Sequence, residues 1–410
     1  MVSLVILAIM LGCAALLYLK GTLAQGLIMI LNAILAGFVA LGFFEPMAGM
    51  IIKYASAVAA WAQTISFLLL FVLAFAVLQT IAMQLNKQKI DFGLWPERVG
   101  RIICGLILGY VVTGQLLVAG AMAPLPNTYP YPRFSERSPN PAQPSKALLN
   151  PDGFVVGLFG TISKGSLSAL GTPKSFAMLH AGFLDELYLN RLKIGKEIPL
   201  RTRSSAIDVQ RKGGVWEAPG SLKDSDGQPL PARPGENVML VRLGIKKSAL
   251  QDAGKFSLSQ VRLVCRPKGA DNQPLAGKGQ TVYPIGYMGP DGRLARKPLS
   301  EEITIQAASI SGNIKNIDFA FYVPTSLTPT LIGFKGNNLQ QVSTLAAGDD
   351  APETVGFDGT PPASQDAEEP QEPAGQAEQS SSSERQPEGS GLSGIGTTLT
   401  GGALEEDLQL

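Results

Sequence analysis

The sequence predicts an all-α membrane domain of four transmembrane helices, then an α+β region outside the cytoplasm with an antiparallel β-sandwich module, then a disordered acidic tail. Three observations carry this fold class. Apolar residues crowd into the first third of the 410-residue chain, charge is confined almost wholly to the remainder, and short β-forming runs replace helical periodicity beyond about residue 206. Residues 1–124 hold six Lys or Arg and three Asp or Glu, so the net charge of +1 averages over unlike parts. Residues 125–345 carry 27 basic against 16 acidic residues, and Ala346 to Leu410 carry about fourteen acidic residues against the single Arg385. A single soluble globule is excluded.

The expected organisation is a four-span domain over 1–124, a Pro-rich linker over 125–151, a helical segment over 152–205, a β-rich sandwich over 206–345 and a disordered tail over 346–410. A hydrocarbon core about 30 Å thick needs roughly 20 apolar residues. Val2 to Leu19, Gly21 to Phe44, Ala60 to Leu85 and Gly100 to Met122 satisfy this, and none has an ionised side chain at its middle. The first stretch lacks the basic start of a signal peptide and is longer than such peptides need, so it reads as a span. Pro46 to Ala59 reads as an amphipathic helix at the interface, with a packed or re-entrant loop as the alternative.

Orientation follows from the short-loop cations. Lys87, Lys89, Arg98 and Arg101 in the third connection and Lys20 in the first lie on one side, against Lys53 alone in the second. The positive-inside bias then puts the first and third connections in the cytoplasm and both termini outside it. On the fourth span Gly100, Gly105, Gly109 and Gly114 form a face that lets another backbone approach closely. It is expected to pack within the four-helix unit; a dimer seam or channel lining is the alternative. Asn32, Gln63, Gln79 and Gln115 read as interhelical hydrogen-bond partners. With no intramembrane Asp, Glu, Lys or Arg, a proton-coupled transporter has little support.

The four short spans and the run Phe92-Gly-Leu-Trp-Pro-Glu-Arg-Val-Gly-Arg-Ile-Ile-Cys-Gly-Leu-Ile-Leu-Gly109 leading into the last of them resemble the colicin V production (CvpA) family. Arg98, Gly100, Gly105 and Gly109 are the matching positions, and the resemblance covers roughly residues 1–125. It implies an inner-membrane protein linked to colicin V production and secretion, and brings no catalytic residue. Nearly three hundred residues beyond the last span depart from the short family pattern.

Pro130, Pro132, Pro139, Pro141 and Pro144 predict a stiff, extended linker that carries the next domain away from the bilayer. Asp152 to Leu170 and Phe176 to Leu192 read as helices. Asn237 to Ile245, Leu258 to Cys265, Thr281 to Met288, Glu301 to Ala307, Asp318 to Val323 and Thr330 to Phe334 read as strands, separated by turns such as Gly289-Pro-Asp-Gly292. The closing Phe319-Ala-Phe-Tyr-Val-Pro324 and Phe334-Lys335 resemble Ig-like modules at the level of fold. The tail lacks the apolar residues to offset its ordering entropy; Leu404, Leu408 and Leu410 could form a short docking motif there, against a frayed end.

Little chemistry is expected. Cys13, Cys104 and Cys265 support no disulfide framework or zinc site. The sole histidine, His180, stands before Asp185 and Glu186 with no nucleophile on a strained turn, and reads as a surface or core residue. Gly277-Lys-Gly-Gln-Thr281 has the wrong glycine spacing for a phosphate loop and reads as a turn. Small basic groups such as Arg201-Thr-Arg203 read as solvated surface, without the aromatic-lined stripe of a nucleic-acid binder. No catalytic, cofactor-binding or metal-binding residue is expected. The expected protein is a non-enzymatic inner-membrane protein without cofactor, whose partners are membrane lipid and envelope or secretion proteins. An oligomeric channel or exporter is the alternative, and an extracytoplasmic hydrolase is the weakest reading.

Overall fold

A computed structural model describes residues 2–85, 93–164, 174–193, 198–269, 275–310, 312–346 and 350–358. Residues 2–358 belong to one compact unit. Four helices, α1 (Val2–Lys20), α2 (Leu23–Tyr54), α3 (Ala62–Leu85) and α4 (Leu94–Met122), are long and apolar enough to cross a membrane. They show little amphipathicity because lipid and protein neighbours are equally apolar. Thr22 starts α2 with a capping box, its hydroxyl accepting from the Gln25 N–H. Glu97 on α4 accepts a second bond at this end from the Leu23 N–H, 3.0 Å away.

The interfacial helix expected over Pro46 to Ala59 is instead the continuation of α2, which runs through Pro46 to Tyr54. A 3-10 turn, Ser56–Trp61, then swings the chain into α3. At 1.5 Å per residue, 32 residues span about 48 Å, so the last turns of α2 rise beyond a 30 Å hydrocarbon core.

The Pro-rich segment departs from its expectation. It packs against the protein rather than extending from it, with Asn127, Tyr131, Arg133 and Phe134 buried. Arg133 donates from Nε to Asp185 at 2.7 Å, and the Tyr131 hydroxyl donates to Asp152. Helix α5 (Pro151–Ser163) then lies beside α4, with Pro at its first turn. The helix expected over Phe176 to Leu192 is two, α6 (Phe176–Leu179) and α7 (Phe183–Asn190). Gly182, at φ +73°, adopts the left-handed conformation that separates them.

Among the described residues twelve strands follow: β1 (Ile207–Asp208), β2 (Val215–Glu217), β3 (Glu236–Lys246), β4 (Lys255–Ser257), β5 (Val261–Pro267), β6 (Gln280–Val282), β7 (Gly286–Met288), β8 (Leu294–Arg296), β9 (Glu302–Thr304), β10 (Ile314–Pro324), β11 (Leu327–Phe334) and β12 (Asn338–Gln341). One sheet runs β1-β3-β10-β7-β8 with β2 also on β3, and a second runs β12-β11-β5-β6. Every strand pair within them is antiparallel. Val241, Leu243 and Ile245 of β3 and Phe319 and Phe321 of β10 share one core with Leu263 of β5 and Ile332 and Phe334 of β11. Alternate residues thus fill the space between two sheets, as a sandwich requires. The single strand expected over Thr281 to Met288 splits at Pro284, which has no N–H to donate, and its halves join different sheets.

The opposite face of the first sheet buries an ion pair. Arg242 and Asp318 are direct cross-strand partners, bonded at 2.7 and 2.8 Å. The Val355 N–H donates to the same carboxylate, and Phe357 is buried in the main core. Residues 350–358, expected within the disordered tail, therefore close over the sandwich. The remainder of the tail, with Leu404, Leu408 and Leu410, lies outside the described residues.

Candidate functional site

Three cations between α6 and β1 reach back to the bundle, at Glu45 within α2, at the end of α4 and at the start of α3. The most charged contact centres on His180. Its Nε2 lies 3.1 Å from Glu45 on α2 and its Nδ1 3.1 Å from Glu186 on α7, while Glu186 also takes Arg262 Nη2 of β5 at 2.8 Å. Phe44, Phe176 and Phe183 pack around the imidazole.

Arg191, buried, donates to the carbonyls of Gly120 at 3.3 Å, Ala123 at 3.2 Å and Leu125 at 3.3 Å, and also to that of Tyr129. These carbonyls surround the end of α4, where helix dipole and unmade bonds favour a cation. The guanidinium lies 4.5 Å from the centre of the Tyr188 ring. Arg201 donates to Ala60 O at 2.6 Å and to Gln63 Oε1 at the start of α3, and Gln63 Nε2 donates to Gly336 O at 3.2 Å. Arg191 and Arg201 are thus buried and bonded, not solvated. Burial lowers both guanidinium pKa values to about 10, which leaves both charged at neutral pH.

A cavity of about 420 Å³ opens beside this junction, lined by Glu45, Gln63, His180, Glu186, Arg262 and Lys335 among others. Burial alone would lower the His180 pKa, but the Glu45 and Glu186 carboxylates outweigh it and raise it from 6.5 to about 10. An imidazolium with both nitrogens engaged by carboxylates has no lone pair with which to act as a base near neutral pH. Lys335, at φ +50°, is buried and donates to backbone carbonyls, 2.8 Å in the case of Lys255. Burial lowers its pKa from 10.5 to about 7, with Asp252 opposing the shift. No group of three or more His, Cys, Asp or Glu suited to a metal occurs among the described residues.

The glycine face of α4 lies against this chain itself. A Cβ on Gly105 would stand 2.4 Å from Ala14 Cα, and one on Gly109 2.6 Å from Met10 Cα, both on α1. Gly100 meets Leu23 of α2, and Gly114 meets the Pro151 carbonyl of α5. The contacts that motivated a channel lined by this face are therefore occupied within one chain. Of the cations used for orientation, Arg98 is exposed and Arg101 pairs with Glu97 at 2.8 Å. Both lie at the end of α4 away from the sandwich; Lys87 and Lys89 lie outside the described residues.

The sequence singles out His180 and Glu186 but gives Glu45 no role beyond standing just after the second apolar stretch. The signal available was its position, as the one carboxylate before Asp91, at the end of a long apolar run.

Fold and junction define a polytopic membrane protein whose four-helix unit carries a docked antiparallel β-sandwich. Residues 2–139, about a third of the chain, match the family model described as colicin V production protein. No curated protein and no solved structure matches the chain.

Two outcomes are expected. Gly105→Leu should destabilise the chain by about 3 kcal/mol, because the new side chain meets backbone that must shift; thermal unfolding in detergent measures this, with particle mass unchanged. His180→Phe should cost about 3 kcal/mol near neutral pH by leaving a buried carboxylate short of its partner. Since the folded pKa of His180 exceeds the unfolded one, its contribution is complete below about pH 6.5 and is lost as pH rises through about 10. Lys335 acts with the opposite sign, its penalty being full below about pH 7 and relieved toward 10.5. The difference in melting temperature between wild type and His180→Phe should therefore shrink between these limits, whatever the shape of either curve alone.

Proposed function

We propose that the protein is an inner-membrane protein that supports toxin or colicin production or secretion and envelope maintenance through non-enzymatic protein contacts. Its sandwich lies on the extracytoplasmic side. The observation that carries this reading is the junction: His180, Arg191 and Arg201 hold the sandwich at a defined place on three helices of the bundle. A surface held in this way presents partners with a fixed geometry at the bilayer, which a tethered domain does not. The family match supports the link to colicin V production, and the short-loop cations support the orientation. The doubly ion-paired state of His180 supports a structural rather than a catalytic role for the histidine.

Two measurements test it. Alkaline phosphatase fused after Asp358 should be active and a green fluorescent protein at the same point dark; the reverse pattern rejects the orientation. Deleting residues 206–358 should leave the four spans inserted while reducing toxin export and envelope integrity to the level of the full deletion. Full retention of both by the truncated chain would reject a role for the sandwich.

A further inference from the structure

The segment from Ala147 to Ser163 returns to the side of the four-helix bundle. The backbone carbonyl of Pro151 lies against Gly114 so closely that a Cβ there would stand 2.5 Å from it. Gly114 is eight residues before the end of α4, about 12 Å below that end at 1.5 Å per residue. Lower still, the Tyr110 hydroxyl donates to the Leu149 carbonyl at 3.1 Å, and the Tyr110 and Phe154 rings are 5.4 Å apart. Further up α5, Phe159 packs on Phe38 of α2 at 5.5 Å. Gly26 against Cys104 and Gly37 against Gln115 set α2 and α4 parallel and in register, which brings Glu45 level with the end of α4. Both helices thus mark the same boundary, and the turn at Leu149 and Asn150 lies well below it.

We propose that residues 147–163 form a re-entrant membrane element, with Leu148, Leu149 and Phe154 against the acyl chains of the leaflet on the sandwich side. These three side chains are 40%, 56% and 44% exposed. Such exposure beside the middle of a spanning helix meets hydrocarbon, not water. The polar groups of the segment are arranged accordingly. Leu149 O is satisfied by Tyr110, and the Asn150 carbonyl accepts from the Phe154 N–H at 3.0 Å. Asp152, the one charged residue in α5, is 1% exposed and accepts from Tyr131. Irregular backbone at membrane depth is tolerated when it is covered in this way by protein. Thirteen helical residues rise about 20 Å, enough for α5 to climb back out before Lys164 even when tilted. The element fixes the height of α6, α7 and the sandwich above the bilayer.

The test uses the full-length chain in vesicles of phosphatidylcholine and phosphatidylglycerol. Nitroxide labels are placed at Leu149→Cys, Phe154→Cys and, as an exposed control, Glu136→Cys, with the unsubstituted chain labelled in parallel to subtract native cysteines. Labels at 149 and 154 should collide with oxygen several-fold more often than with a water-soluble nickel chelate, and the label at 136 should show the reverse. Equal nickel access at 149 and 136 would overturn the proposal. Independently of any variant, the unsubstituted chain in vesicles containing a mid-chain diazirine lipid should form adducts within residues 147–156. Adducts on the Leu69, Val72 and Leu73 face of α3 without any in 147–156 would overturn it equally.

Discussion

The structure depends on how helix ends are satisfied where a bundle leaves a low-dielectric medium. The carbonyls closing α4 and the carboxylate of Glu45 need donors, and the surrounding protein excludes most of the water that would supply them. His180, Arg191 and Arg201 meet that need from a single stretch of about twenty residues. Desolvating three cations costs several kcal/mol each, and their partners offset this only when geometry is good. Arg191 Nε and Arg201 Nε have no hydrogen-bond partner, so the arrangement is not optimised for stability. Its effect is to make other positions of the sandwich costly, because a shift of a few ångströms would leave buried charges unpaired.

Within the membrane the logic is different, because burial of apolar surface brings no gain against lipid. Close backbone approach takes its place. The spacing of Gly105 and Gly109 lets α1 approach until Ala14 and Met10 occupy the volume of the missing side chains. Asn32 Nδ2 donating to Gln79 Oε1 at 3.0 Å joins α2 to α3 in the same apolar setting. The two helix pairs, α1 with α4 and α2 with α3, are thereby joined by contacts of different kinds.

The four spans and the three long strands β3, β10 and β11 were legible because each rests on a local pattern, apolar length or alternation. Misreadings occurred where a local cue met tertiary context. A proline after an apolar run predicts a helix end at Pro46, yet α2 continues, its following turns packing through Ala48 and Ile52 on Ala62. The prolines predict an extended segment, yet Tyr131 and Arg133 have partners at Asp152 and Asp185 that no window of sequence brings near. The junction was least legible of all. Glu45 belongs to a different segment from Arg191 and Arg201, and composition marks each only as a charge, whose ordinary place is the surface.

The family match ends at residue 139, inside the Pro-rich segment, so the sandwich could be regarded as an independent addition to a complete membrane unit. The junction argues otherwise. Glu45, Ala60, Gln63, Ala123, Tyr131 and Arg133 all lie within the matched residues, and their partners His180, Arg201, Arg191, Asp152 and Asp185 all lie beyond them. Every clasp therefore joins one side of that boundary to the other. A later region that merely hung from the bundle would leave the end of α4 to be capped by water. Here the cap is an arginine 68 residues downstream, which makes the extramembrane region part of how the membrane unit ends its own helices.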